Sequence, residues 1–213
     1  MKSKILLCLS LLTISLSAKE GAVECGNLIY AGTRTSQCFS DEFLTTVQQK
    51  TSIATERRFK AVKLVDDELF KIPFVIMTGT GDFSLTSKER VNLKQYLENG
   101  GFLLASASCS NEAWSQAFER EVKSIFGNDK LQDIPLSHEI FRTIFEVKDL
   151  KLSHSGPETP LRGMTHNGKV VLVYSSEGLN DTSHTEGCCC CGGNEIQNSM
   201  EINANILAYA LLH

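Results

Sequence analysis

The stretch Phe74-Val75-Ile76-Met77-Thr78-Gly79-Thr80-Gly81-Asp82 decides the reading of the fold. Its first four residues are apolar throughout, with none of the alternation of a strand that keeps one face in water. Such a strand belongs at the centre of a sheet covered by helices on both sides, and Thr78 to Asp82 reads as the turn that ends it. Downstream, Thr86-Ser87 caps a helix that reaches Glu98, with Gly100 just past its end. Phe102-Leu103-Leu104-Ala105 is then the next strand. Upstream, Leu28 to Ala31 is a strand stopped by Gly32, Glu42 to Thr51 is a helix opened by Ser40 or Asp41, and Ala61 to Val65 is a second strand. Gly-bounded apolar runs alternating with helical patterns are the signature of an α/β fold with a mostly parallel sheet.

Past Cys109-Ser110-Asn111, the residues Trp114, Ala117, Phe118, Val122 and Ile125 share one face at helical spacing. Pro135, Pro157 and Pro160 make the region from about 128 to 168 an irregular excursion, with a short strand expected near Phe145 to Leu152. Lys169 to Tyr174 is a late strand. Met200 to Leu212 closes the chain as a helix with Ile202, Ile206 and Tyr209 inward.

The first residues read as a secretory signal: Lys2 and Lys4, an apolar run from Ile5 to Leu16, then small residues up to Ala18. That run is far shorter than the roughly 20 residues a membrane helix needs. Residues 1–18 are therefore expected to be removed, leaving a single domain over 19–213 in the secreted or periplasmic space, with no membrane attachment. The formal net charge of −4 offers no basic footprint for nucleic acid.

Cysteine usage points to a site. Of eight cysteines, Cys8 falls in the signal, which leaves seven: Cys25, Cys38, Cys109 and the run Cys188-Cys189-Cys190-Cys191. An oxidising compartment makes disulfides the default, and an odd count leaves at least one cysteine over. In a parallel sheet the crevice lies beyond the carboxyl ends of the strands. Cys38, Asp82, Cys109 and the run all follow strands, so they are expected on one rim, where Cys38 and Cys109 can each pair with a member of the run. Cys25 precedes the first strand, too far for a bridge to Cys38, and is the expected odd thiol.

Other uses of these residues stay open. Cys188 and Cys191 have Cys-x-x-Cys spacing with His184 nearby, an alternative set for zinc, although no cofactor is expected. A redox role for the run is a further alternative. Cys109 stands at a strand-to-helix junction, where amides and the helix dipole favour a thiolate. With His138 as base it would make a thiol- or metal-assisted hydrolase. Arg34, Asp82 and Glu195 are the candidate ligand-binding residues: Arg34 is placed to grip a carboxylate or phosphate at the rim, Asp82 ends the central turn, and Glu195 is also suited to accepting from loop amides or capping the last helix. The expected partner is a small or carbohydrate-like ligand at that rim.

Several of these stretches carry a resemblance. Phe74 to Asp82, Leu85-Thr86, Gly100-Gly101-Phe102-Leu103-Leu104, Ile134-Pro135, His138, Glu177-Gly178-Leu179 and Asn205-Ile206-Leu207-Ala208-Tyr209-Ala210 resemble the bacterial family called domain of unknown function 4159. That family is similar in fold to class I glutamine amidotransferases. The resemblance implies a three-layer α/β sandwich of amidotransferase-like or flavodoxin-like type. Glutaminase activity is not implied: the nucleophile position falls near Ser106 or Ala107, the Gly-x-Cys-x-Gly elbow is absent, and no late His-x-Glu pair follows.

Overall fold

Phe74 to Gly79 forms a strand buried up to its last residue, β3, and its side chains alternate between two separate cores. Val75 and Met77 join Leu103, Ala105, Leu93 and Trp114 on one side. Phe74 and Ile76 join Phe102, Leu104, Phe43 and Ile206 on the other. The sheet is the middle layer of a three-layer α/β sandwich. The computed structural model describes residues 21–154, 156, 158–188 and 193–213. The expected signal segment lies outside the described residues, as do Cys189, Cys190 and Cys191.

Seven strands run β1 (Cys25–Ile29), β2 (Lys60–Lys63), β3 (Phe74–Gly79), β4 (Phe102–Ala107), β5 (Gln132–Asp133), β6 (Arg162–His166) and β7 (Lys169–Ser175). Their order in the sheet is β2-β1-β3-β4-β7-β6-β5. The first five in that order are parallel, with Phe74 opposite Phe102 in the central pair. β6 and β5 extend the sheet antiparallel. Helices α1 (Glu42–Lys50) and α4 (Ser199–Leu212) cover one face, and α2 (Ser87–Glu98) and α3 (Glu112–Phe126) cover the other. The direction of travel across the sheet reverses between β1 and β3, the switch point where α/β sheets open a crevice.

Side-chain caps open α2 and α3. Thr86 and Glu89 make a reciprocal capping box at the start of α2. Asn111 accepts from the Trp114 amide to open α3, and a partly buried Arg90–Glu121 pair ties the two helices at 2.7 Å. α4 is buried almost all round up to Tyr209, more than its expected inward stripe requires.

The expected strand near Phe145 to Leu152 does not form. The Asn205 side chain on α4 accepts from the amides of Ile144 and Phe145 and donates to the Phe145 carbonyl, each at 2.8 Å. Farther on, Asn198 Oδ1 accepts from the Lys151 amide at 3.1 Å. Polar side chains have replaced sheet partners, and Leu152 keeps only a single bridge to Ile196. The antiparallel addition is instead β6, turned into β7 through Asn167 and Gly168, both at positive φ. That pair is a favoured two-residue hairpin turn.

The end of β3 is fitted closely to the ring pair beneath the crevice. Trp114 Nε1 donates to the Tyr30 hydroxyl at 2.7 Å, and that hydroxyl donates to the Thr78 carbonyl at 3.0 Å. A Cβ on Gly79 would stand 2.5 Å from the Tyr30 oxygen and 2.9 Å from Trp114 Nε1. Gly79→Ala is therefore expected to lower stability by about 1–3 kcal/mol, the usual cost of overpacking. Denaturant unfolding measures it; a change below about 0.5 kcal/mol would mean that the rings move aside freely.

Candidate functional site at the carboxyl rim

The loops after β1, β3, β4 and β7 converge on a cavity of about 410 Å³. After β1, Ala31 and Gly32 both take positive φ. The chain doubles back, and Tyr30 and Arg34 exchange backbone hydrogen bonds of 2.9 and 3.0 Å. Arg34 is thereby returned over the strand end. Its guanidinium donates to the carbonyls of Thr80 at 2.8 Å and Asp82 at 2.7 Å, which fixes the head while leaving other N–H groups available. Asp82 itself contributes only that carbonyl, because its carboxylate pairs with Arg120 at 2.9 Å and is not among the lining residues. This arrangement holds the Asp82 carboxyl below its ordinary range through the Arg120 hydrogen bond.

The remaining walls come from hydroxyl and amide groups: Thr33, Thr35, Gln37, Thr80, Ser108, Asn180 and Thr182. Arg34 is the sole formal charge among the described lining residues. Glu195 is buried behind the wall and accepts from the Thr182 amide at 3.0 Å and its hydroxyl at 2.6 Å. It accepts from a loop amide, as expected, and acts by positioning Thr182. Asn198, not Glu195, stands at the N-cap of α4, and its side chain bonds to the Lys151 amide and the Asp149 carbonyl rather than to the helix.

Cys38 and Cys109 both line this cavity. Cys38 forms a disulfide with Cys188, with 5.8 Å between Cα atoms. Cys109 is also disulfide-bonded. Cys25 is the free cysteine among the described residues; it begins β1 at the opposite rim, and burial pushes its thiol up to about 12. The disulfide removes Cys188 from the alternative zinc set of Cys188, Cys191 and His184, because zinc binds thiolate. Cys191 lies outside the described residues.

The junction that holds Cys109 is strained. Cys109 and Ser110 both adopt left-handed backbone, at φ of 51° and 49°, a conformation that costs an L-residue roughly 1–2 kcal/mol. Neighbours hold it in place. The Asn194 amide donates to Ser110 Oγ at 2.8 Å, and Asn180 Nδ2 donates to Ser108 Oγ at 3.1 Å. Gly193 lies so close that a Cβ there would stand 1.7 Å from the Cys109 carbonyl oxygen.

Cys109 and His138 do not form a nucleophile–base pair. The His138 ring lies 5.7 Å from that of Tyr209, which in turn lies 6.4 Å from Phe102 at the start of β4. Cys109 follows the end of that strand, roughly 20 Å away at the rise of a β-strand. A disulfide sulfur, moreover, cannot serve as a thiolate nucleophile. Ser106, near the position that the resemblance suggests for a nucleophile, is buried and bonded to Asn180 and to the Leu179 amide. Two further residues missed in the sequence, Tyr30 and Asn180, sit at the ends of β1 and the β7 loop. No motif marks them; only strand-end position could have found them.

The family model described as domain of unknown function (DUF4159) matches residues 28–211. This chain belongs to that family. No curated protein matches it. The DUF4159 match spans every strand from β2 to β7, the first three helices and α4 up to Leu211, so the crevice is built wholly from the matched region. A second groove in this DUF4159 chain, of about 500 Å³, lies at the far end of α3 between Glu119, Lys123, Lys130 and Arg162. Arg162 and Glu119 pair there at 3.0 Å, both partly exposed. It stands away from the carboxyl rim.

The cysteines provide two checks. Cys38→Ser/Cys188→Ser is expected to lower stability by about 2–5 kcal/mol, since the bridge closes a very long loop; calorimetry of the oxidised proteins measures this. Native Cys25 is expected to resist iodoacetamide and to react once the chain is unfolded. Rapid alkylation of the native protein, read by mass spectrometry, would show that β1 opens.

Proposed function

We propose that the protein is an exported binding domain whose rim crevice takes a small, hydroxyl-rich ligand carrying a negative group, such as a sugar acid. The lining carries the reading: one guanidinium among hydroxyl and amide groups, with no carboxylate among the described lining residues. Such groups exchange hydrogen bonds with a polyol, and arginine pairs with a carboxylate in a planar fork. A volume near 410 Å³ falls in the range of small-molecule sites. The stapled loops support the same reading, because a preordered wall lowers the entropy lost on binding. Export accounts for the disulfides and for the leader-like residues 1–18, whose removal leaves one domain over 19–213.

Titration with D-glucuronate and with D-glucose, followed by amide NMR, tests the proposal. Glucuronate is expected to shift the amides of Thr80, Ser108 and Thr182 and to bind more tightly than glucose. Arg34→Gln should erase that preference, costing about tenfold in glucuronate affinity, the value of one charge-assisted hydrogen bond. The absence of saturable shifts at the crevice, or an unchanged preference in the variant, would end the proposal.

A further inference from the structure

The loop after β7 carries a second group of side chains, outside the crevice. Asp181 lies between two lining residues, Asn180 and Thr182, in left-handed backbone at φ 54° and ψ 52°. Its carboxylate is only 5% exposed. His184, three residues on, brings Nδ1 to 2.8 and 2.9 Å from the two Asp181 oxygens. From the first turn of α1, Glu42 brings Oε2 to 3.8 Å from the same nitrogen. All three ligand atoms fit within 4.8 Å of one another.

Charge is unbalanced there. Among the described residues, no lysine or arginine forms an ion pair with Asp181 or Glu42, and Asp181 has only the Ser183 hydroxyl and His184 as side-chain partners. A buried carboxylate needs a compensating cation. A neutral imidazole supplies none, and an imidazolium supplies one only while His184 is protonated; Glu42, half-exposed, adds a second carboxylate at the surface. Imidazole nitrogen and carboxylate oxygen are both good ligands for zinc-class divalent ions, which bring the second charge.

We propose that Glu42, Asp181 and His184 form a three-ligand site for a divalent cation of the zinc class. The cation takes the place of the proton shared between His184 Nδ1 and Asp181. This ligand set contains no sulfur, unlike the Cys188, Cys191 and His184 set suggested by spacing. It would also brace a joint already fixed by covalent chemistry: Cys38 stands four residues before Glu42, and Cys188 four residues after His184. Disulfide and cation would thus clasp the same two segments, the entry to α1 and the loop after β7.

Binding must compete with the proton. The Asp181 hydrogen bond holds His184 above its ordinary value of 6.5, so affinity should weaken as pH falls.

The test is calorimetric titration of zinc chloride into the oxidised, chelator-treated protein at neutral pH. One zinc per chain is expected, with affinity reduced about tenfold or more in both Glu42→Gln and His184→Gln. Both side chains are half-exposed, so these variants should fold; Glu42→Gln should melt without zinc as the parent does, whereas His184→Gln removes a partner of the buried Asp181 carboxylate and should melt lower. Failure of the parent to bind zinc would overturn the proposal. Binding unchanged in both variants would do the same, by assigning the metal to other groups. Neither outcome bears on the crevice, which is probed separately through Arg34.

Discussion

Parallel pairing of β1, β3, β4 and β7 is the constraint on which the rest depends. Parallel strands end on the same side, so the loops that follow them meet there however far apart they lie in the chain. Tyr30, Thr80, Ser108 and Asn180 come from four such loops and face one cavity. Helices on both faces are the necessary companion, because the strands between them have no wet side. The reversal of direction between β1 and β3 then opens the crevice beside Arg34 and Thr80.

Loops collected in this way are not thereby rigid. Left-handed backbone at both Cys109 and Ser110 costs on the order of 2–4 kcal/mol together. The Cys38–Cys188 bridge spans a sequence separation of 150 residues. Chain-entropy reasoning assigns such a bridge about 5 kcal/mol, so cross-linking of the rim outweighs the strain of one turn. Side-chain bonds complete the wall: Asn180 reaches Ser108, and Glu195 holds Thr182. The rim is therefore an ordered surface made from irregular segments.

Most of the framework was legible. The unbroken apolar runs at Phe74 and Phe102 announced central strands, and the Thr86 cap and the Gly100 stop bracketed α2 within a residue. The rim position of Cys38 and Cys109 and the isolation of Cys25 followed from strand polarity alone. The region from 128 to 168 was less legible, because its structure depends on distant partners. Phe145 to Leu152 has the composition of a strand, yet Asn205 and Asn198 supply its hydrogen bonds from another element. β6 contains Arg162 and Gly163 in place of an apolar run, and its clearest signal was the Asn167-Gly168 turn.

By itself the sequence determined the layer architecture, the strand direction and the family. Periodicity, capping and glycine placement act over a few residues and can be read without a partner. Only the tertiary structure decided that Cys109 and His138 stand at opposite ends of a strand. It also decided that Cys188 is joined to Cys38, and that Glu42, Asp181 and His184 come together. Those outcomes depend on which distant segments the sheet brings into contact, and no local pattern encodes that distance.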